Sequence, residues 1–310
     1  MPLLKRLPTL TQLRHLVAVA DHRHFGRAAE ACLVTQSSLS ASIKELEGLF
    51  GRVIIERSRR KVLPTPLGEA VVARARAVLT EVGDIVDLVA ASGAPLAGPL
   101  RLGVIPTIAP FLLPRALPAI RRAHPALELY LREDRSARLL EALAGGALDL
   151  LLLAFPYPTA AFETLIFADD PFWVALPDGH ALAGRERLAP RDLAGYQLLL
   201  LEEGHCLRDH ALGAGDPESP FARAEFQGSS LHTLAQMVDN GLGLTLIPKM
   251  ALDAGIATGT RVIARPLDGA GREIGLVWRP TSPRGEDFAR LAAHFRDELA
   301  TPLPPPRATN

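Results

Sequence analysis

The stretch at 67–91 limits what this chain can become more than any other. There Ala70, Val71, Ala75, Val78, Leu79, Val82, Ile85 and Val86 recur at helical spacing along one stripe. A solitary helix does not tolerate so long an apolar stripe in water. A partner helix, most simply from a second copy of the chain, is expected to cover it. Immediately afterwards Ser92-Gly-Ala-Pro-Leu-Ala-Gly-Pro99 is a hinge by composition. The 310 residues thus divide into a head (1–65), a linker helix (66–91), the hinge (92–99) and a large body (100–300). The proline-rich ending, 301–310, is expected to be disordered.

The head carries the positive charge. Its first 64 residues hold eleven lysines and arginines against five acidic side chains, a net of +6, which leaves −6 for the rest of a formally neutral chain. A basic head on an acidic body points to a polyanionic partner for the head alone, with a merely solvated basic face as the plain alternative. Thr9 can cap a first helix whose Leu10, Leu13, Leu16, Val17 and Ala20 fall at helical spacing. After the polar break 21–24, the run 25–33 reads as a short helix in which Ala28 and Ala29 let another helix approach closely. The chain then turns, and 34–47 places Leu39, Ile43 and Leu46 on one stripe with Gln36, Ser37, Ser38 and Lys44 off it. This is an α-helical helix-turn-helix pattern. In that geometry the second helix enters the major groove of double-stranded DNA, where Gln36, Ser37, Ser38, Ser40 and Lys44 are the expected contacts. Residues 52–65 read as two extended runs around a basic turn, a wing whose Arg57, Arg59, Arg60 and Lys61 are expected on backbone phosphates.

Phe25, Arg27-Ala28-Ala29, the run 33–40, Ile43, Leu46-Glu47, Phe50-Gly51, Glu56-Arg57 and Thr65-Pro66 with Gly68 together resemble the winged helix-turn-helix of the LysR-type transcriptional regulators. The resemblance implies that the long helix dimerises, that two heads meet two half-sites of a palindromic promoter, and that RNA polymerase is a further partner. Cys32, inside this module, reads as a small buried hydrophobe.

Beyond Pro99, strand-like runs at 100–105, 127–131 and 148–154 alternate with helical stretches at 111–123 and 137–144. A second set follows at 173–176, 197–201, 231–239 and 242–248, and a strand at 273–279 and a helix at 285–299 close the chain. An α/β body of two lobes fits this order, lobe I at about 100–168 and 268–300, lobe II at about 169–267. No run approaches the roughly 18–20 apolar residues of a membrane helix, and two prolines interrupt the first 13 residues where a signal peptide would be apolar. A cytoplasmic protein with no membrane partner is expected.

Cys32 and Cys206 are the only cysteines and show no metal-ligand spacing, so neither a metal site, a disulfide framework nor a cofactor is expected. Cys206 lies in Leu-Glu-Glu-Gly-His-Cys-Leu-Arg-Asp-His-Ala-Leu, at 201–212. His205, Arg208, His210 and a helix starting near the thiol favour the thiolate, the form that attacks an oxidant or electrophile. Sensor, nucleophile and simple packing all stay open on these residues. Ligands of two-lobed α/β domains bind at strand ends and helix starts, which brings Thr107 and Ser136 within reach, although both also read as helix caps.

Residues 204–209, Gly103-Val-Ile-Pro-Thr107, Pro110-Phe-Leu-Leu-Pro114 and the run 274–283 resemble the OxyR, peroxide-sensing branch of the same family, through nearly the whole chain. The resemblance implies a periplasmic-binding-protein-like effector domain whose last strand and helix return to the first lobe. It implies Cys206 as the redox-sensing cysteine, and a hydrogen peroxide pocket of Thr107, Ser136 (more usually threonine), His205, Arg208, Asp209 and Arg279. One departure matters. Most members of the branch carry a resolving cysteine nine residues after the first, and position 215 here is glycine. No disulfide can form within the effector domain. Oxidised Cys206 is expected to rest as a sulfenic acid, with a mixed disulfide to a small thiol or a bond to its counterpart in another subunit as alternatives.

The chain therefore reads as a homodimeric or homotetrameric DNA-binding regulator, not an enzyme, that answers hydrogen peroxide through Cys206. One rival is a LysR-type regulator with a small organic effector in the inter-lobe cleft. The other is a thiol peroxidase, which leaves a basic reading head without purpose. Replacing Arg59 and Lys61 by alanine should weaken binding to every DNA sequence alike and flatten the salt dependence by roughly one counterion for each phosphate no longer neutralised. Fluorescence anisotropy at several salt concentrations measures this, and unchanged binding would detach the wing from DNA.

Overall fold

In a computed structural model the described residues are 7–57, 62–91, 95–211 and 226–301. Expectations placed on Arg59, Arg60 and Lys61, on 92–94 of the hinge, on position 215 and on the tail beyond Thr301 lie outside them. The chain divides into two compact units, residues 1–89 with 144–147, and 90–143 with 148–310.

The first unit opens with helices α1 (Leu10–His22), α2 (Phe25–Cys32) and α3 (Gln36–Phe50). A side chain fixes each start. Thr9 forms a capping box with Gln12, His24 accepts from the N–H groups of Gly26 and Arg27, and Thr35 Oγ1 accepts from Ser38 N–H at 3.2 Å. Left-handed residues end them: Arg23, Leu33 and Gly51. The α3 stripe Leu39, Ile43 and Leu46 packs with Leu13, Leu16 and Val19 of α1 and with Ala28 and Ala29 of α2. The wing is the antiparallel pair β1 (Ile55–Arg57) and β2 (Val62–Pro64). Glu47 Oε1 ties it to α3 by accepting from the N–H groups of Ile54 and Ile55 at 3.0 and 3.1 Å.

Helix α4 (Pro66–Ala91) begins at Thr65, whose Oγ1 accepts from Gly68 N–H at 2.9 Å. A β-carbon at position 68 would overlap the Ile54 carbonyl oxygen, so the Thr-Pro-x-Gly spelling is a packing requirement of this corner. Val72 and Ala75 join the core of the first unit. Further along α4, Val78, Ile85, Val86 and Val89 are 44%, 62%, 64% and 69% exposed, so the apolar stripe outruns what the head covers.

The second unit begins with β3 (Gly98–Val104), α5 (Ala109–Ala123), β4 (Leu127–Glu133), α6 (Ser136–Ala144) and β5 (Leu150–Phe155). β3 pairs in parallel with both β4 and β5. β5 is buried at every position, as its unbroken Leu-Leu-Leu-Leu-Ala-Phe run demands of a strand covered on both faces. Then follow β6 (Glu163–Leu176), β7 (Leu199–Leu201), α7 (Cys206–Ala211), β8 (Phe226–Gly228), α8 (Leu231–Asp239), β9 (Thr245–Pro248), α9 (Lys249–Asp253), β10 (Ile263–Trp278) and α10 (Gly285–Ala300). The main sheet runs β4-β3-β5-β10-β6-β9, and β7 and β8 form a separate parallel pair. Helix α10 packs on α5 and β6, returning the end of the chain to the first lobe.

Two strands are far longer than their sequence suggests. The stubs expected at 173–176 and 273–279 belong to strands of 14 and 16 residues, β6 and β10, which pair with each other along the two lobes. Asp169-Asp170-Pro171 and Asp268-Gly-Ala-Gly271, at the expected boundaries between the lobes, are the points where these strands cross from one lobe to the other. The ladder shifts register between Pro266 and Gly271, and Gly271 lies opposite Pro171, so the missing proline N–H falls where pairing is already irregular. Asp170 is buried there against Arg272.

Gly68→Ala should cost about 1–3 kcal/mol through overpacking against backbone. Gly48→Ala, in α3 with open space around it, should be neutral or gain up to about 1 kcal/mol of helix propensity. Denaturant unfolding of the two variants separates these outcomes, and equal stability would contradict the packing assigned to Gly68.

Candidate functional site

Cys206 is the first residue of α7 and is 3% exposed. It faces a small cavity with Ile105, Pro106 and Thr107 from the end of β3, Arg135 and Ser136 from the start of α6, and Gly204 and His205 from the loop before α7. The cavity is narrow, enclosing about 170 Å³ with its open mouth included. Thr107, Ser136 and His205 are all buried, so the structure brings four of the expected site residues to one place.

Behind the thiol lies a charge that the sequence reading missed. Arg272 of β10 is buried, donating through Nη1 to Thr107 Oγ1 at 2.7 Å, through Nη2 to the Thr107 carbonyl at 3.0 Å and through Nε to Asp170 Oδ2 at 3.0 Å. Asp170 Oδ1 accepts from Met250 N–H at 2.9 Å. Because Thr107 Oγ1 accepts from Arg272, its own hydrogen is left to donate elsewhere. Ser136 Oγ is buried without a well-formed hydrogen bond, yet close enough to Cys206 to favour the thiolate.

The electrostatics correct the expectation that the resting sulfur is a thiolate. Burial raises the Cys206 pKa above the ordinary cysteine value, against the lowering effects of Arg272, the Ser136 hydroxyl and the Leu207 N–H, while Asp209 raises it further. The cations named from sequence do not supply the charge. His205 is pushed down by burial and by Arg135, and His210 by burial, so both imidazoles favour the neutral form. His210 Nε2 lies 2.8 Å from the Pro156 carbonyl. Arg208 spends Nη1 on the Leu201 carbonyl at 3.3 Å, and Asp209 is exposed. Neither lines the cavity. Arg279 is likewise outside it, with Nη1 on the carbonyls of Leu143 and Leu148 at 3.1 and 2.7 Å; Arg272, also outside the lining, is the arginine whose charge acts on Cys206. An arginine in an apolar strand, with an aspartate in another, was the available signal.

In the head, Gln36, Ser37, Ser38 and Lys44 are exposed on α3. Thr35 Oγ1 lies 3.0 Å from Ser37 Oγ and donates to Ser38 Oγ at 2.9 Å, holding the start of the helix. Ser40 and Arg57 are engaged with each other: Arg57 Nη1 donates to Ser40 Oγ at 2.9 Å, while Nη2 lies 3.4 Å from Glu47 Oε2 and the guanidinium sits 4.8 Å over the Phe25 ring. Arg57 therefore braces the wing on α3. Among the described residues no group of three or more His, Cys, Asp or Glu side chains could hold a metal ion, and no helix is long and apolar enough to cross a membrane.

Comparison with known proteins agrees with this division. Residues 10–69 match the bacterial regulatory helix-turn-helix protein model of the lysR family, and residues 93–300 match the LysR substrate binding domain. A hydrogen peroxide-inducible genes activator of Dickeya chrysanthemi is 40% identical over 94% of this chain and 95% of its own length. A full-length OxyR cysteine-to-aspartate variant from Pseudomonas aeruginosa superposes with a TM-score of 0.78 at 36% identity, over 94% of this chain and 95% of that one. The peroxide-bound cysteine-to-serine variant of Corynebacterium glutamicum OxyR gives 0.64 at 35%, over 96% and 94%.

Reaction of Cys206 with a small thiol reagent should accelerate as pH rises through the range above the ordinary cysteine value, and the profile should lie higher still in Arg272→Met. That substitution also strands Asp170, at a cost of about 3–5 kcal/mol, whereas Arg272→Met with Asp170→Leu should cost less. Unfolding curves and pH-dependent labelling measure the two effects; a Cys206 profile below the ordinary value would overturn the burial argument.

Proposed function

Because the chain belongs to the LysR family of bacterial transcriptional regulators, we propose that it is a DNA-binding regulator of oxidative-stress genes in which hydrogen peroxide oxidises the single effector-domain cysteine, Cys206. The observation that carries this reading is the pairing of a buried thiol with two buried hydroxyls, Thr107 and Ser136, whose hydrogen-bonding capacity is not used up.

The chemistry follows from those groups. A Cys206 thiolate, formed in the field of Arg272, attacks one oxygen of the peroxide; an S–O bond forms, the O–O bond breaks, and the departing hydroxide takes up the proton given by the thiol. The products are a sulfenic acid and water. Thr107 and Ser136 can hold the peroxide and stabilise the departing oxygen, and the neutral imidazole of His205 can relay a proton. Arg208, Asp209 and Arg279 act at most from outside the cavity. With position 215 a glycine, the oxidised sulfur ends as a sulfenic acid, in preference to a mixed or intersubunit disulfide. The added oxygen must be taken up in a narrow cavity of about 170 Å³, its mouth included, and the new S–O–H group alters the contacts of Cys206 with its walls. Motion of α7 is the local switch, passed on through the lobes and the dimer to the heads.

The heads read palindromic promoter DNA through Gln36, Ser37, Ser38 and Lys44, with the wing on phosphates. The exposed apolar stripe of α4 pairs with that of a second copy, in a homodimer or homotetramer acting in the cytoplasm with RNA polymerase. An organic effector is the competing reading, and the hollow of about 420 Å³ lined by Phe155, Pro156, Pro171, Leu267 and Ala270 has the size for one.

Promoter-binding assays of the protein and of Cys206→Ser, with and without peroxide, decide between the two. Peroxide should change promoter occupancy of the native protein and leave Cys206→Ser unmoved. Equal responses in both, or a response to a metabolite with Cys206 still reduced, would sink the sensor reading.

A further inference from the structure

At the rim of the Cys206 cavity stands a side chain that the chemistry above does not use. Arg135 precedes α6 in the first lobe and lines the cavity with Gly204 and His205. Its Nη2 lies 3.1 Å from Oε2 of Glu202, which follows β7 in the second lobe. The two side chains are 42% and 47% exposed, whereas Cys206, Thr107 and Ser136 are buried, so Arg135 is the partly exposed wall of the cavity and Glu202, outside the lining, holds it from the second lobe. Both ends are anchored. Arg135 N–H donates to Asp134 Oδ1 at 2.9 Å; Glu202 N–H donates to the Gly228 carbonyl at 3.0 Å, and the Glu202 carbonyl accepts from His205 N–H at 3.4 Å. The arginine lies against Gly204, where a β-carbon would come within 3.1 Å of its Cδ and 3.2 Å of its Nη1.

We propose that the Arg135–Glu202 ion pair is a gate over Cys206, setting how fast peroxides reach the thiol and how bulky a peroxide can pass. This rests on the reading of Cys206 as the peroxide-reactive thiol. Cys206, Thr107 and Ser136 are buried and Arg135 is a partly exposed lining side chain, so a peroxide reaches the thiol past the wall that Arg135 forms. The deep wall is tied by Arg272 to Thr107 and Asp170 out of reach of solvent, while the rim tie is open to solvent and salt. An exposed pair of this kind biases an open–closed equilibrium by no more than about fivefold, which suits a gate that must open.

The test is the rate of Cys206 thiol loss in the full-length protein, by quenched-flow mass spectrometry, with hydrogen peroxide and with tert-butyl hydroperoxide. Glu202→Gln and Arg135→Ala should react about two- to fivefold faster, and the gain in Arg135→Ala should be larger for the bulkier peroxide. Arg135→Ala with Glu202→Gln should be no faster than Arg135→Ala, and Arg135→Lys should stay near the native rate. The native protein should react faster as salt rises, and Glu202→Gln should not. Equal rates in every variant, or slower oxidation in Arg135→Ala as expected of a guanidinium that binds the peroxide, would overturn the gate while leaving Cys206 the reactive thiol. Failure of Cys206 to react in any variant would instead overturn the reading on which the gate rests.

Discussion

The guanidinium of Arg272 is held with no exposed side-chain surface, between Asp170 on one strand and Thr107 at the end of another. A buried cation is tolerated only when paired and hydrogen-bonded, and here every contact also fixes something else. The Asp170 pair joins the two long strands where they pass from lobe to lobe, the Thr107 contacts orient the hydroxyl facing the cavity, and the remaining field falls on Cys206. The crossing of the two long strands and the electrostatics of the thiol thus depend on one side chain.

That arrangement explains how a thiol can be both quiet and poised. Burial disfavours the Cys206 thiolate, while the charge of Arg272, the Ser136 hydroxyl and the Leu207 N–H favour it. A fully exposed, low-pKa cysteine would react with any electrophile it met. Selectivity in the proposed sensor comes from confinement and from hydroxyl donors matched to a small, polar oxidant.

Much of this was legible in the sequence, for identifiable reasons. The head was readable because each of its signals is local: Thr9 and Thr35 cap, Leu39, Ile43 and Leu46 keep helical period, and Thr65 with Gly68 marks a tight corner. Cys206, His205, Thr107 and Ser136 were placed together by resemblance and by the habit of ligands to bind at strand ends. The partner of the thiol was not legible, because Arg272 reaches it across 66 positions of chain and is held in place by Asp170, which lies on yet another strand. Adjacency in sequence misled in the opposite direction. Arg208 and His210 flank the cysteine in α7, yet one turns to a backbone carbonyl and burial pushes the other toward the neutral form.

The claim on which the account stands is that a single sulfur stores the signal without a second one. Intact and peptide mass spectrometry of the full-length protein after one equivalent of hydrogen peroxide, under non-reducing conditions, tests it most directly. The account predicts the gain of one oxygen atom on Cys206, trapped by a sulfenic-acid reagent and reversed by a thiol reductant, with Cys32 unmodified and no covalent dimer. Unmodified Cys206, or a disulfide joining two chains or Cys206 to Cys32, would contradict it.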